Sequence, residues 1–332
     1  AGDIHTEAVL TSGYAQYVGL CLGNASESLK LNERADTLAS KTQDDELQRS
    51  LRTWLAWSHN ACGDFRQARE LWLPLLDGIP DDLWFGSRYV VPNLRWNRHL
   101  MLCFNYATTG EKVKFREHAG LLKQFDLGVP EVVAYTYGAT GMLFGLLGDW
   151  EHGIQSAKRS IEAAEQGGTS YARAVGYSCM AINQLYAENF NYAESAVSKA
   201  IEIAIAGGTF GDQMGQLNAV LVESLIGLGR YAEAARIAEE CVEYCERNGL
   251  YYYLLPWIAS AKVQTAIGDQ AKSLNENIKL DHLIQSTGAT LYQAFSHECR
   301  ALHARKFDAD WNAGEEVDLA INAFEKMDAY PH

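Results

Sequence analysis

Residues 148–168 have the sequence GDWEHGIQSAKRSIEAAEQGG, and this arrangement returns along the chain about every 40 residues. It holds a helix-length segment between an opening Gly-Asp-Trp turn and a closing Gly-Gly turn. The closing turn recurs in steps of 40, 41 and 39 residues, at Gly168, Gly208, Gly249 and Gly288. The opening turn recurs in the same steps, at Gly148, Glu188, Gly229 and Gly268. Because two turn signals in each period predict two helices in each period, the chain is expected to be an array of helical hairpins.

The opening turns can be followed towards the N-terminus at Gly23, Gly63 and Gly110. A small residue stands five positions after most of these turns, as Ser28, Ala68, Gly153, Ala193, Ala234 and Ser273. Small side chains at one helical phase let two helices approach closely. With an atypical capping hairpin at about 290–328, the pattern predicts about eight antiparallel hairpins. The fold is therefore expected to be all-α, a right-handed α-solenoid that forms one domain over residues 1–332.

The repeated unit resembles the tetratricopeptide repeat, in which aromatic and small residues surround a Gly-Asp-Tyr turn. The closest matches are Gly63-Asp-Phe-Arg-Gln-Ala68 and Gly229-Arg-Tyr-Ala-Glu-Ala234, and the resemblance covers roughly residues 5–288. The period is near 40 residues, whereas the usual unit has about 34. Longer units look like the sensor arms of bacterial signal-transduction ATPases, including the maltose-regulon activator family, and like parts of ATPase-coupled nucleotidyl cyclases. The sequence contains no GxxxxGK[ST] phosphate loop.

Composition excludes several classes of partner. The net charge of −14 disfavours direct binding to nucleic acid and to an anionic membrane surface. The sequence has no uncharged apolar stretch of about 18 residues, so no transmembrane helix is expected. Seven irregularly spaced cysteines predict reduced thiols in a cytoplasmic protein. Since the sequence begins with Ala, we expect a processed chain or a piece of a longer one.

Catalytic and metal-binding patterns are missing from the sequence. It has no GxSxG, HExxH or paired CxxC motif, and its nine histidines are dispersed. Cys241 and Cys245 lie four residues apart on one predicted helix, but no further ligand pair follows at metal-site spacing. We therefore expect a protein without enzymatic activity, cofactor or metal.

The resemblance places the binding groove on the first helix of each hairpin. It implies the groove residues Trp57, Asn60, Asn97, Phe104, Tyr135, Met142, Tyr186, Gln216, Glu223 and Lys262. Aromatic and amide side chains with few charges suit a protein or peptide partner, or a neutral small molecule such as a sugar. They lack the Lys, Asn and Arg set of repeats that clamp a C-terminal carboxylate. The alternative interpretation is that many of them only pack one hairpin on the next.

Residues 77–97 break the rhythm, because the interval between Gly63 and Gly110 is 47 residues. Pro80, Gly86 and Pro92 predict an inserted loop followed by a late-starting helix, and Asp81-Asp82 is expected at a helix start. The insertion is either simply tolerated or a lid or partner contact. Its candidate contact residues are Trp84, Arg88, Arg95 and Trp96.

Two local features of the predicted helices bear on the site. Thr169 and Thr209 each follow a glycine turn and are expected to cap the next helix. Three glycines, Gly138, Gly141 and Gly145, interrupt the predicted helix that begins near Pro130. Each costs about 1 kcal/mol relative to alanine, so they indicate either close helix packing or space for a ligand.

The leading hypothesis is a non-catalytic scaffold that binds a protein or peptide in its groove, as the sensor or scaffold arm of a larger signalling or transcriptional regulator. The alternative is a small-molecule sensor whose ligand lies near the fourth hairpin.

Overall fold

The computed structural model describes residues 3–80, 82, 84–89, 93–125, 129–308 and 310–327. These residues form sixteen α-helices and no β-strand, as the glycine spacing predicted. The helices of the first four hairpins are α1 (Ile4–Gln16), α2 (Ala25–Ala39), α3 (Asp45–Ala61), α4 (Phe65–Trp72), α5 (Leu94–Thr108), α6 (Lys112–Leu122), α7 (Pro130–Leu146) and α8 (Trp150–Gly167). The last four hairpins contain α9 (Ser170–Tyr186), α10 (Phe190–Gly207), α11 (Met214–Gly227), α12 (Tyr231–Asn248), α13 (Leu255–Ile267), α14 (Gln270–Thr287), α15 (Gln293–Phe307) and α16 (Ala313–Lys326).

Every hairpin turns at a residue with a left-handed backbone conformation. Six of the seven predicted turn positions are glycines with positive φ, for example Gly148 at 86°. At the seventh position Glu188 adopts a φ of 58°, and the eighth hairpin turns at Asp308, with a φ of 52°. Glycine adopts this conformation without the steric cost that a side chain brings. The prediction of about eight hairpins is confirmed.

The odd-numbered helices form the inner layer of the array and the even-numbered helices form the outer layer. Each odd-numbered helix contacts the next odd-numbered helix along the chain, from α1 to α15. The glycines of α7 serve this packing, because a Cβ on Gly141 would lie 2.6 Å from the Sγ of Cys179 and 2.8 Å from the Cβ of Ser156. Close helix packing therefore accounts for Gly141.

The array closes on itself after about four and a half hairpins. Turns inside the first three hairpins touch the connections between the later ones. The backbone N–H of Tyr251 donates to the carbonyl of Ala61 at 2.9 Å, and a Cβ on Gly110 would lie 2.6 Å from the Oγ1 of Thr290. The hydroxyl of Tyr244 lies 2.9 Å from the carbonyl of Gly211 and 3.3 Å from that of Leu22. The later connections therefore form a wall across the interior of the superhelix.

The connection that follows α10 differs from its prediction. Thr169 caps α9 as expected, accepting from the N–H of Ala172 at 3.2 Å. The prediction for Thr209 is wrong, because a short 3-10 turn at Gly211–Gln213 comes before α11, which has no side-chain cap. Phe210 here adopts a positive φ of 66°. The extra turn carries Phe210 and Gln213 to the interior.

The insertion contains a 3-10 turn at Ser87–Tyr89, and α5 starts late, at Leu94, with Asn93 as its cap. The expected helix start at Asp81-Asp82 is wrong for Asp82, whose carboxylate accepts from the N–H of Trp84 in a turn at 2.9 Å. Asp81 and Pro92 lie outside the described residues.

Candidate functional site

A cavity of about 290 Å³ lies inside the superhelix. The first helices of the second to fifth hairpins supply most of its lining, including Trp57, Phe104, Met142 and Tyr171. Gln16 comes from the first hairpin. The remaining wall comes from connections further along the chain, through Phe210, Gln213 and Tyr252. Closure of the superhelix therefore turns an open groove into a walled cavity.

Aromatic rings that touch one another line much of the cavity. Tyr252 meets Trp57 edge to face, with ring centroids 5.0 Å apart, and it lies 5.5 Å from Phe104. On the other side Tyr171 contacts Tyr135 at 5.6 Å and Phe210 at 4.7 Å. Such pairs favour fixed geometries, so the wall is already shaped before a ligand arrives.

A small polar group adjoins the aromatic wall. The carboxylate of Asp212 accepts from the hydroxyl of Tyr171 at 3.1 Å and from the Nε2 of Gln213 at 2.9 Å. Burial raises the pKa of Asp212 to about 7, although both hydrogen bonds favour its ionised form. The Oε1 of Gln213 and the Nε1 of Trp54 have no hydrogen-bond partner among the described residues. Both side chains line the cavity, so its wall contains one unpaired acceptor and one unpaired donor.

Half of the predicted groove residues line this cavity: Trp57, Asn97, Phe104, Tyr135 and Met142. Asn60 and Gln216 do not. Both are buried, Asn60 accepting from the Nδ2 of Asn105 at 3.2 Å and Gln216 lying 3.6 Å from the Sδ of Met142. The contacts of both side chains join inner helices, α3 to α5 and α7 to α11.

The other three predicted residues, Tyr186, Glu223 and Lys262, line a separate groove of about 750 Å³ between the later inner helices and α16. The Nζ of Lys262 lies 2.8 Å from Glu223 and 3.2 Å from Glu298. Burial favours the neutral amine, but the two carboxylates outweigh it and raise the pKa of Lys262 well above 10.5. The charge of Lys262 is therefore already compensated.

The insertion residues separate into two groups. Trp96 lines the cavity and donates from Nε1 to the Oγ1 of Thr136 at 2.8 Å. Arg88 pairs with Glu46, and Arg95 donates to the carbonyl of Ile79 at 2.9 Å. Arg88 therefore holds the insertion against α3, and Arg95 ties Ile79 to the start of α5, whereas Trp84 is 61% exposed. Trp84, Arg88 and Arg95 are not part of the cavity lining.

Sequence reasoning missed twelve of the lining residues, and those that the site uses most are Trp54, Tyr171, Phe210, Gln213 and Tyr252. Four of these five follow a closing turn, since Tyr171 comes after Gly168, Phe210 and Gln213 come after Gly208, and Tyr252 comes after Gly249. An aromatic residue two or three positions after a closing glycine was the available signal.

No group of three His, Cys, Asp or Glu side chains in the described part of the chain is arranged to hold a metal ion. All seven cysteines are free thiols, and burial holds the pKa of Cys103, Cys179 and Cys299 well above its usual value. Within the described residues, no helix has the length and apolar character that a membrane span needs.

A histidine pair between α5 and α6 predicts loss of stability in acid. The Nδ1 atoms of His99 and His118 lie 2.8 Å apart, and burial lowers the pKa of His99 from 6.5 to about 4, with His118 adding to the effect. The folded state disfavours protonation of His99. The stability that the neutral histidine contributes is therefore complete above pH 6.5 and is lost as the pH falls towards about 4. Urea unfolding across this range should show a falling free energy of unfolding. In the double variant His99→Leu/His118→Leu the free energy of unfolding should decrease less over the same pH range. Equal pH dependence in the variant and the wild type would contradict the prediction.

Lys262 predicts a second stability effect. Lys262→Met leaves two carboxylates facing each other in the second groove, so we expect a loss of about 2 kcal/mol in the free energy of unfolding. The half-exposed Glu298 limits the effect through solvent screening. Lys272→Met breaks the exposed pair with Glu239 and should cost less than about 0.5 kcal/mol. Equal urea midpoints for the two variants would contradict the expected difference.

Two stretches of the chain, residues 50–74 and 218–240, match the family described as Tetratricopeptide repeat. They fall on the α3–α4 and α11–α12 hairpins, whose turns are Gly63 and Gly229. The protein is a TPR-like helical array. No curated protein matches its sequence.

The TPR-like array shares its fold with solved structures at low sequence identity. A Rap protein complexed with Competence and Sporulation Factor has a TM-score of 0.64 at 10% identity, covering 98% of this chain and 89% of that chain. A Signal Transduction ATPase with Numerous Domains from Pyrococcus horikoshii has a tetratricopeptide repeat sensor. Its TM-score is 0.51 at 14% identity, and the match covers 97% of this chain and 46% of that chain. A tetratricopeptide repeat protein from Parabacteroides merdae has a TM-score of 0.46 at 14% identity, and the match covers 89% of this chain and 99% of that chain. The first two likenesses support the all-α solenoid.

Proposed function

We propose that the protein is a non-catalytic binding module that takes a short peptide segment of a partner protein into the cavity of the superhelix. The observation that carries this proposal is the walled aromatic cavity, in which Trp54 and Gln213 keep an unused donor and an unused acceptor. Ligand sites combine apolar walls with a few placed polar groups in this way. A peptide offers matching N–H and C=O groups beside apolar side chains.

Preformed shape supports the same proposal. The ring contacts around Tyr252 and Tyr171 fix the wall, so little ordering is required when a ligand enters. The Rap protein of similar fold was captured with Competence and Sporulation Factor, and the Pyrococcus ATPase carries its repeats as a sensor. By analogy, this chain would act as the sensor or scaffold arm of a larger regulator.

Peptide selection tests the proposal. Random linear heptapeptides displayed on phage are panned against the chain, and the selected sequences are synthesised and titrated by fluorescence anisotropy. We expect peptides with dissociation constants of about 10 μM or tighter, which corresponds to roughly 7 kcal/mol. Each peptide is titrated in parallel against the filled variant, Ala139→Phe, whose added ring occupies the cavity. Failure to select any peptide, or equal binding to the filled variant, would reject the proposal.

A small neutral molecule is the second candidate, because the cavity of about 290 Å³ is close to the lower end of small-molecule sites, near 300 Å³. Thermal-shift screening with sugars, nucleotides and amino acids tests this role. A reproducible rise in melting temperature with a sugar, absent in the filled variant, would favour the second candidate over the first.

A further inference from the structure

We propose that the cavity selects a positively charged group, an alkylammonium or a guanidinium, carried next to an apolar or aromatic part of the ligand. This inference rests on the proposed function, namely that the cavity is a binding site. It adds the charge of the ligand, which the groove residues chosen from the sequence did not indicate.

The charge of the lining is one-sided. Among the described residues that form the cavity, none is Lys, Arg or His, whereas Glu131 contributes a carboxylate. Glu131 accepts only from neutral donors, the N–H of Thr169 at 3.3 Å and the Oγ1 of Thr169 at 2.8 Å. Glu131 lies in the first turn of α7, where the helix N-terminus favours negative charge, but no basic side chain among the described residues pairs with it, so a ligand cation would be its first full counter-charge.

Gln213 adds an acceptor whose direction is fixed by Asp212. The carboxylate of Asp212 accepts a hydrogen bond from the NH₂ group of the Gln213 amide, so the amide oxygen points the other way and remains without a donor. Gln213 lines the cavity and is only 5% exposed, and its Oε1 has no partner among the described residues. A buried acceptor without a donor costs free energy, and a ligand N–H that Oε1 meets by rotating towards the cavity would remove that cost.

Asp212 places a second carboxylate behind this acceptor. It bonds the hydroxyl of Tyr171 and the amide of Gln213, and no basic side chain in the described part of the chain pairs with it. Burial without such a partner is the physical cause of its raised pKa. A cation held in the cavity would favour the ionised form of Asp212 and bind more tightly for that reason.

The aromatic wall favours the same charge. Ring faces carry negative potential, and a cation within about 6 Å of a ring centroid is attracted to it, most strongly by Trp. Trp57, Trp96 and Tyr135 all line the cavity. An anionic ligand would meet these rings and Glu131 with no compensating charge, so the lining also excludes carboxylates.

Three matched probes test the charge preference on the full chain: 2-phenylethylammonium, 2-phenylethanol and 3-phenylpropionate. They share a phenyl ring and differ in the charge of the head group. Binding is measured by ligand-observed NMR titration at a pH above the pKa of Asp212. We expect the ammonium probe to bind about tenfold more tightly than the alcohol, and the carboxylate to bind most weakly.

The outcomes separate the two proposals. If the alcohol or the carboxylate binds as tightly as the ammonium probe, the charge preference is overturned and the binding cavity stands. If none of the three binds and the peptide selection also yields no peptide, the proposed function fails and the charge preference fails with it. If none of the three probes binds but selected peptides do, the peptides decide the charge preference. It stands if they carry Lys or Arg and lose about tenfold in affinity when the Lys is replaced by norleucine or the Arg by citrulline. Otherwise it is overturned.

Glu131→Gln isolates one charge without changing the size of the side chain. We expect it to lower the affinity for the ammonium probe about fivefold and to leave the affinity for the alcohol probe within about twofold of the wild-type value. Retained alcohol binding shows that the variant is folded. Glu162→Gln, which removes an exposed charge of α8 outside the cavity, is the matched control and should change neither probe. Equal effects of the two variants on the ammonium probe would contradict a role for Glu131.

Discussion

Gly211→Ala is expected to destabilise the protein by about 3 kcal/mol, because residue 211 lies where the superhelix closes on itself. A Cβ at this position would contact the carbonyl of Cys21 and lie 2.6 Å from the backbone N of Gly23 and 2.8 Å from the carbonyl carbon of Leu22. These are backbone atoms of the first hairpin turn, so a change of side-chain rotamer cannot relieve the clash. The turn and the Gly211–Gln213 connection must move apart.

Urea unfolding, followed by circular dichroism, measures the loss. Gly13→Ala is the matched control, because it adds the same methyl group inside α1 with nothing within 4 Å. Since alanine is the better helix former, this control should be neutral or stabilising by up to about 1 kcal/mol. If Gly211→Ala lies within about 0.5 kcal/mol of wild type, the closure is looser than the contacts indicate.

Closure also links Gly211 to the site. Phe210 and Gln213 flank it and supply part of the cavity wall. If the first turn and this connection separate, the wall moves away from Trp57 and Tyr135, and the probes that bind the cavity should lose affinity together with stability. Hydrogen exchange localised to the Gly211–Gln213 turn would show whether the two effects share one cause.

The repeat could be predicted from the sequence because its demands are local. A left-handed turn favours glycine and a close helix approach requires a small side chain, so Gly148, Ala193 and Ala234 reveal the period. The resemblance to the tetratricopeptide repeat, applied in this register, implied groove positions for Trp57, Phe104 and Tyr135, and all three line the cavity. The unit turning at Glu188 lacks the glycine, and only the regular interval identified it.

The closure could not be predicted, because it depends on small rotations between hairpins that add up over more than four units. No single position in the sequence records that sum. Phe210, Gln213 and Tyr252 therefore looked like ordinary connecting residues, and the groove appeared open. The Thr209 prediction failed for a related reason, since the 3-10 turn at Gly211–Gln213 packs against the first hairpin and delays the start of α11.

Ala139→Phe is expected to abolish binding to the cavity, with at least about a 100-fold loss in the affinity of any ligand that it holds. Ala139 is buried on α7 and lines the cavity. Its neighbours along the same inner surface are Tyr135 and Met142. A phenyl ring at this position extends into a space of about 290 Å³, so the ring and a ligand cannot occupy it together.

Stability separates this effect from misfolding. The added ring enters an existing cavity, so the free energy of unfolding should stay within about 1 kcal/mol of wild type, whereas the same ring in a packed core costs roughly 1–3 kcal/mol. Ala206→Phe adds an equal ring at an exposed position of α10 and is the matched control for affinity. Selected peptides and 2-phenylethylammonium should bind the control as they bind wild type. If they bind Ala139→Phe equally well, they occupy another surface, and the groove around Lys262 becomes the next place to test.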